Sequence, residues 1–178
     1  MEDRAELALS DSRADRAAEG LRLLVTLPAL NEQATVADVV RAIPSHIPGI
    51  ESIDTLVVND GSTDETAPRA REAGALVLSH PQPRGCGAAF HSALAYVMRH
   101  GYDVLVTIDA DGQFDPASIP KIVEPVVAGR ADFVSASRFK DPALTPKMPW
   151  LKRWGNRRMS HLISRLAGAR FYDVSCGF

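Results

Sequence analysis

Asp109 and Asp111 stand two residues apart at the end of the apolar run from Val104 to Ile108. If extended backbone persists past that run, their carboxylates point to the same side and can share one cation. With the amide oxygen of Gln113 they form a hard oxygen ligand set suited to Mg2+ or Mn2+, ions that keep positions open for substrate phosphate oxygens. The same residues also spell a turn in which Asp111-Gly112 only caps backbone groups. Spacing alone does not separate the two readings.

Asp60 follows Val57-Val58-Asn59 and precedes Gly61-Ser62, a place from which a carboxylate can accept hydrogen bonds from a nucleobase imide or amine. Here too a simple turn is the alternative. Asp64 is better read as the cap of the helix that follows, since Asp is a favoured residue there. Arg84-Gly85-Cys86-Gly87 opens a helix, so backbone N–H groups and a guanidinium could receive a phosphate. As a dinucleotide fingerprint the stretch fails, because Phe90 stands where the third small residue belongs and the segment follows the third strand.

Other chemistry finds little footing. There is no Gly-x-Ser-x-Gly elbow, no Walker-type loop and no histidine pair at metal spacing. His46, His80, His91, His100 and His161 are scattered and read as incidental surface or satisfied core residues.

The elements that must position these groups are legible as alternating patterns. Leu21 to Leu27 is a short, β-forming apolar run closed by Pro28, and after a loop to Gln33 the segment Ala34 to Ile43 places Val36, Val39, Val40 and Ile43 at helical spacing. Ile53 to Val58 predicts a second strand, followed by a turn and a helix reaching Ala73. Ala75 to Ser79 predicts a third strand, and a helix with Ala88, Ala89, Leu94, Val97 and Met98 ends at Gly101. Val104 to Ile108 is the fourth strand, Pro116 to Val127 a helix led by Asp115, and Asp132 to Ala136 a fifth strand. Continuously apolar strands separated by helices argue for an α/β fold with a mostly parallel central sheet covered on both faces. In such a sheet ligands bind beyond the carboxyl ends of the strands, where all of the candidates above fall.

After Arg138 comes a Pro-punctuated stretch, Asp141 to Pro149, and then one amphipathic helix from Trp150 to Ala167. From Lys147 to Arg170 the chain carries Lys147, Lys152, Arg153, Arg157, Arg158, Arg165 and Arg170 without one Asp or Glu. This segment either faces phosphates or an anionic membrane surface, or is a solvated helix face.

The 178 residues carry a formal net charge of −2, which offers no electrostatic case for nucleic acid. Two cysteines, Cys86 and Cys176, make no disulfide framework and fit a reducing, cytoplasmic setting. No stretch approaches the roughly 20 apolar residues that span a bilayer, so any membrane contact is expected to be peripheral, at the cytoplasmic face. Residues 1–20 lack the apolar core of a secretory signal and are expected to be a disordered or frayed N-terminal extension. The remainder, 21–178, is expected to form one domain, and its stop at Cys176-Gly177-Phe178 without a helix cap suggests C-terminal truncation.

Taken in order, Pro28-Ala29-Leu30-Asn31-Glu32, Val57 to Asp64, Asp109-Ala110-Asp111-Gly112-Gln113 and Ser137-Arg138-Phe139 resemble the family 2 glycosyltransferases of the GT-A fold, a Rossmann-type arrangement. The likeness is greatest to dolichol- or polyprenyl-phosphate mannose and glucose synthases, and it runs from about Leu21 to Phe178. It implies that Pro28, Asn31, Glu32 and Asp60 hold the nucleoside, that Asp109 assists at ribose or metal, and that Asp111 with Gln113 coordinates the cation. It further implies that Arg138 meets phosphate, that Arg153 helps hold the donor diphosphate or acceptor phosphate, and that Asp173 lies near the reacting sugar. Two departures stand out. The loop Pro83-Arg84-Gly85-Cys86-Gly87 lacks an asparagine and a lysine frequent in the family, which unsettles the phosphate role of Arg84, and the arginine that usually follows Gly-Phe is absent.

The reaction implied is inverting transfer of a hexose from UDP-glucose or GDP-mannose, with Mg2+ or Mn2+ and Arg138 stabilising the departing nucleoside diphosphate. A polyprenyl phosphate acceptor, with a second pKa of about 6, is a ready nucleophile at neutral pH and needs no general base. A nucleotidyltransferase is a rival, but Pro28 to Glu32 lacks the Gly- and Arg-rich loop expected after its first strand. A non-catalytic nucleotide-sugar-binding module is the rival from another class.

Overall fold

The structure, a computed structural model, describes residues 20–136 and 150–167. The chain divides into two compact units, Met1–Asp132 and Phe133–Phe178. In the first unit, β1 (Leu21–Ala29), α1 (Val36–Ala42), β2 (Ile50–Asn59), α2 (Thr66–Glu72), β3 (Leu76–Ser79), α3 (Cys86–His100), β4 (Val104–Thr107) and α4 (Ile119–Val127) succeed one another. A 3-10 turn, Pro116–Ser118, leads into α4. In the second unit α5 covers Trp150–Ala167, the bounds its apolar pattern predicts.

The four strands form one parallel sheet in the order β3-β2-β1-β4. Central position explains composition: Leu23, Leu24, Val25, Leu27, Leu56, Val57 and Val58 are all buried, so successive side chains are covered on both faces of β1 and β2. On one face Ala89, Ala93 and Val97 of α3 pack against Leu24, Leu56 and Val58, with Leu78 and Leu105 at the rim. The two alanines on this face let the helix lie close to the sheet. α4 contacts β4 and buries Ile119 and Val123. α3 stops where Gly101 takes φ +71° and returns its N–H to the Val97 carbonyl.

Two expectations are corrected. Asp115 does lead a helical segment, its Oδ1 accepting the Ala117 N–H over 3.0 Å, but the first turn is 3-10 and the α-helix begins only at Ile119. Asp132 to Ala136 forms no strand among the described residues. Phe133 is exposed, and a two-residue apolar run interrupted by Ser135 has little burial to offset the entropy of ordering a strand.

The chain runs outward from β1 to β2 and β3, then returns across β1 to β4. The crevice beyond the carboxyl ends of β1 and β4 is therefore the topological switch point, the favoured ligand position in an open parallel sheet.

Candidate functional site

Four loops leave the carboxyl ends of the strands, and hydrogen bonds join each to a neighbour. After β1, Asn31 takes a left-handed φ of +58°, which Asn tolerates better than most residues. Its N–H donates to Ser62 Oγ over 2.9 Å, and its Oδ1 accepts the Thr63 N–H over 2.9 Å. Glu32 N–H donates to Thr66 Oγ1 over 2.8 Å, and Gln33 N–H to Asp64 Oδ2 over 3.2 Å. Asp64 also accepts the Thr66 N–H over 3.0 Å, but the N-cap position of α2 is Glu65, so Asp64 holds the first turn from one residue before the cap position expected for it. Burial raises the Asp64 carboxyl pKa, but the hydrogen bonds from Thr66 and Gln33 outweigh it and hold the group below its ordinary value.

The loop after β1 is tied to the loop after β4 as well. Thr35 Oγ1 donates to the Ala110 carbonyl over 2.8 Å, and Ile108 N–H continues the ladder to Thr26 O over 3.0 Å. Asp111 Oδ1 accepts the Gln113 N–H over 2.9 Å, curling the loop around Gly112 at φ +75°. The turn reading is therefore real, and it leaves the second Asp111 oxygen, Oδ2, outside that hydrogen bond. Ala110 is buried, while Asp109 and Asp111 on either side of it are half-exposed, as alternation along a strand end predicts. Among the described residues no group of three or more His, Cys, Asp or Glu could hold a metal.

Asp60 is buried at the end of β2, and its carboxylate organises the loop after β3. Oδ1 accepts the Arg84 N–H over 2.9 Å and Oδ2 the Gly85 N–H over 2.7 Å. His80 Nδ1 lies 2.7 Å from Oδ1, and His80 Nε2 lies 2.9 Å from Ser92 Oγ on α3. Burial raises the Asp60 carboxyl pKa, but the hydrogen bonds from His80, Arg84 and Gly85 outweigh it and keep the group below its ordinary value. A carboxylate has about four acceptor positions; three are filled here. Gly61 beside it has φ +77°, and a Cβ there would lie 2.6 Å from Pro83 N, so only glycine permits this approach.

The candidates of the first unit thus stand on one rim. Pro28 lies within β1 opposite Val58, Asn31 and Arg84 are exposed, and Glu32 is half-exposed. Arg138 and Asp173 lie outside the described residues; Arg153 lies within α5, with its side chain also outside them. His80, read from sequence as incidental, is instead a buried partner of Asp60, and Ser92 and Thr35 were not singled out at all. No sequence signal marked His80: it meets Asp60 because Asn59 and Ser79 are register partners on adjacent strands, a pairing that only the fold reveals.

Residues 24–178 match the family model described as glycosyl transferase family 2. The chain is similar to UDP-N-acetylglucosamine–dolichyl-phosphate N-acetylglucosaminyltransferase of Methanococcus voltae, 28% identical over 172 residues and covering 87% of this chain and 67% of the relative. It is similar to polyprenol monophosphomannose synthase of Mycolicibacterium smegmatis, 30% identical over 164 residues, covering 88% of this chain and 60% of the relative. Among solved structures it is similar to glucosyl-3-phosphoglycerate synthase from Mycobacterium tuberculosis in complex with Mn2+, UDP-glucose and phosphoglyceric acid. That match has 34% identity and a TM-score of 0.53, and covers 64% of this chain and 42% of the other. The chain spans 60% to 67% of the length of these curated relatives and less than half of the solved one.

Proposed function

The chain belongs to glycosyl transferase family 2, and on that premise we propose that it is a hexosyltransferase using a UDP- or GDP-sugar, with a polyprenyl or dolichyl phosphate as acceptor. The observation that carries this reading is the lacing of the strand-end loops into one rim, with Asp109 and Asp111 at the switch point between β1 and β4. We take residues 21–178 as the transferase domain.

In this reading Pro28, Asn31, Glu32, Asp60 and Arg84 form the nucleoside side of the site. Asp60 orders the Arg84-Gly85 backbone and keeps one acceptor position for the base. Asp111 and Gln113 would hold Mg2+ or Mn2+, with Asp109 shared with the nucleotide. Their donor chemistry fits: such ions are commonly bound by one or two carboxylates and completed by substrate phosphates and water, so no third acidic ligand is required. The positive charge supplied there would offset charge developing on the departing nucleoside diphosphate. By the resemblance, Arg138 and Arg153 serve the phosphates and Asp173 the reacting sugar.

A lipid phosphate acceptor is supported by the names of two relatives, a dolichyl-phosphate N-acetylglucosaminyltransferase and a polyprenol monophosphomannose synthase. It is supported also by α5, which has no acidic residue and exposes Trp154, Met159 and Arg165. Its Arg158 guanidinium lies 5.2 Å from the Trp154 ring centre, pairing a cation with an aromatic of the kind favoured at membrane interfaces. No described helix is long and apolar enough to cross a membrane, so contact by α5 would be peripheral.

Incubation with labelled UDP-glucose or GDP-mannose, Mn2+ and a polyprenyl phosphate tests the proposal. Label should pass into the lipid phase with one of the donors. Donor binding without any transfer would instead mark a non-catalytic nucleotide-sugar module.

A further inference from the structure

We infer that His80 is a positioning residue for donor binding, acting through Asp60 on the loop Pro81–Gly85; this rests on reading that loop as one wall of the nucleotide-sugar site. His80 follows β3 as Asp60 follows β2, and the backbone places them together, with the His80 N–H donating to Asn59 O over 2.9 Å. Both residues are buried, at 7% and 5% exposure, so the 2.7 Å contact between their side chains is shielded from water.

The proton positions follow from the partners. An ionised carboxylate only accepts, so His80 Nδ1 carries the hydrogen and donates it to Asp60 Oδ1. In the neutral ring Nε2 then accepts from the Ser92 hydroxyl; a doubly protonated ring would reverse that one bond without breaking the chain. Ser92 thereby anchors the imidazole to α3, the helix that the Arg84-Gly85 segment opens. The order Ser-His-Asp is shared with hydrolytic triads, but Ser92 sits half-buried in the body of a helix and not on an exposed turn, so the arrangement braces a loop.

The brace has work to do there. Every residue from Pro81 to Gly87 is exposed, so the loop has little burial of its own to fix it. What holds it is the pair of N–H bonds to Asp60 and the close approach of Gly61 to Gln82 and Pro83. The imidazole in turn fixes the carboxylate to which those N–H groups point. Loss of this support should loosen the loop and weaken donor binding while leaving the sheet, and the metal loop after β4, in place.

Two substitutions separate the halves of the ring. His80→Asn sets an amide N–H near the Nδ1 position and can keep the bond to Asp60; His80→Gln sets one near Nε2, keeps Ser92 and loses Asp60. Amide hydrogen exchange at Arg84 and Gly85 is the first readout, because it needs no ligand. The inference predicts faster exchange at both positions in His80→Gln, with His80→Asn close to wild type. Calorimetry of UDP and of GDP with Mn2+ is the second, with Kd for the nucleotide that binds weakened about tenfold in His80→Gln and largely rescued in His80→Asn. Unchanged exchange in His80→Gln, or equal loss in both variants, overturns the inference. If the exchange pattern holds but wild-type protein binds neither UDP nor GDP, the brace stands as structure; the site reading falls, and the role in donor binding falls with it.

Discussion

The Thr35 hydroxyl donates a 2.8 Å hydrogen bond to the carbonyl of Ala110, between the two carboxylates of the Asp109–Asp111 loop. This single bond spans the switch point, because Thr35 follows β1 and Ala110 follows β4. It ties the loop that would hold the ion to the one that would hold the nucleoside.

Thr35→Val removes the donor at nearly constant volume and strands a carbonyl on a buried residue. An unsatisfied buried acceptor costs about 1–3 kcal/mol. Urea unfolding should show a loss of that size, with weaker Mn2+-dependent donor binding, and Thr35→Ser should recover most of both. A Thr35→Val protein as stable as wild type would mean the two loops are held by other contacts.

Asp60 sets an acid limit on stability. Its folded carboxyl titrates below the ordinary value of 3.8, so the unfolded chain binds the proton more tightly. Its contribution is complete above about pH 4 and drains away as pH falls through the depressed folded value. Urea midpoints measured down the acid range should fall less steeply in Asp60→Asn, although that variant starts from a lower stability. Parallel slopes in the two proteins would show that other carboxylates govern the acid limb.

Tyr102 sets an alkaline one, at the opposite end of the sheet. Its hydroxyl donates to Asp54 Oδ2 over 2.8 Å, and the Arg22 guanidinium lies 4.6 Å from its ring centre. Burial, then the hydrogen bond to Asp54 and its charge, push the phenol up to about 12 against the modest opposing effect of Arg22. The folded state therefore keeps a proton that the unfolded chain releases near 10. Stability from this group is intact below pH 10 and is lost as pH rises to about 12. Tyr102→Phe should lose part of this decline, seen as a flatter plot of unfolding midpoint against pH from 9 to 12.

The parts of the molecule that sequence reveals are those governed by local pattern. Leu23 to Val25 in β1 and Leu56 to Val58 in β2 are buried with their neighbours on both faces and so read as apolar runs, and α5 keeps helical spacing from Trp150 to Ala167. Gly101 marks the end of α3 because the left-handed turn there favours glycine. Asn31, Glu32, Asp60, Arg84, Asp109, Asp111 and Gln113 were legible by position, since each lies in a loop that follows a strand. What they touch was not. Asp60 and His80 are 20 residues apart, and only the β2–β3 pairing brings them together. Thr35 and Ala110 are 75 apart and meet through the return of the chain to β4. The 3-10 first turn after Asp115 likewise depends on packing that a Pro-led helix signal does not encode.

The central claim, that Asp109, Asp111 and Gln113 form the metal side of a nucleotide-sugar site, is tested most directly by calorimetry. UDP-glucose and GDP-mannose are titrated with and without Mn2+ into wild-type protein and Asp111→Asn. The account predicts binding of one of the two donors that requires Mn2+ in the wild type and is lost in Asp111→Asn, with the unfolding midpoint little changed. Metal-dependent binding that survives Asp111→Asn at wild-type affinity would contradict it.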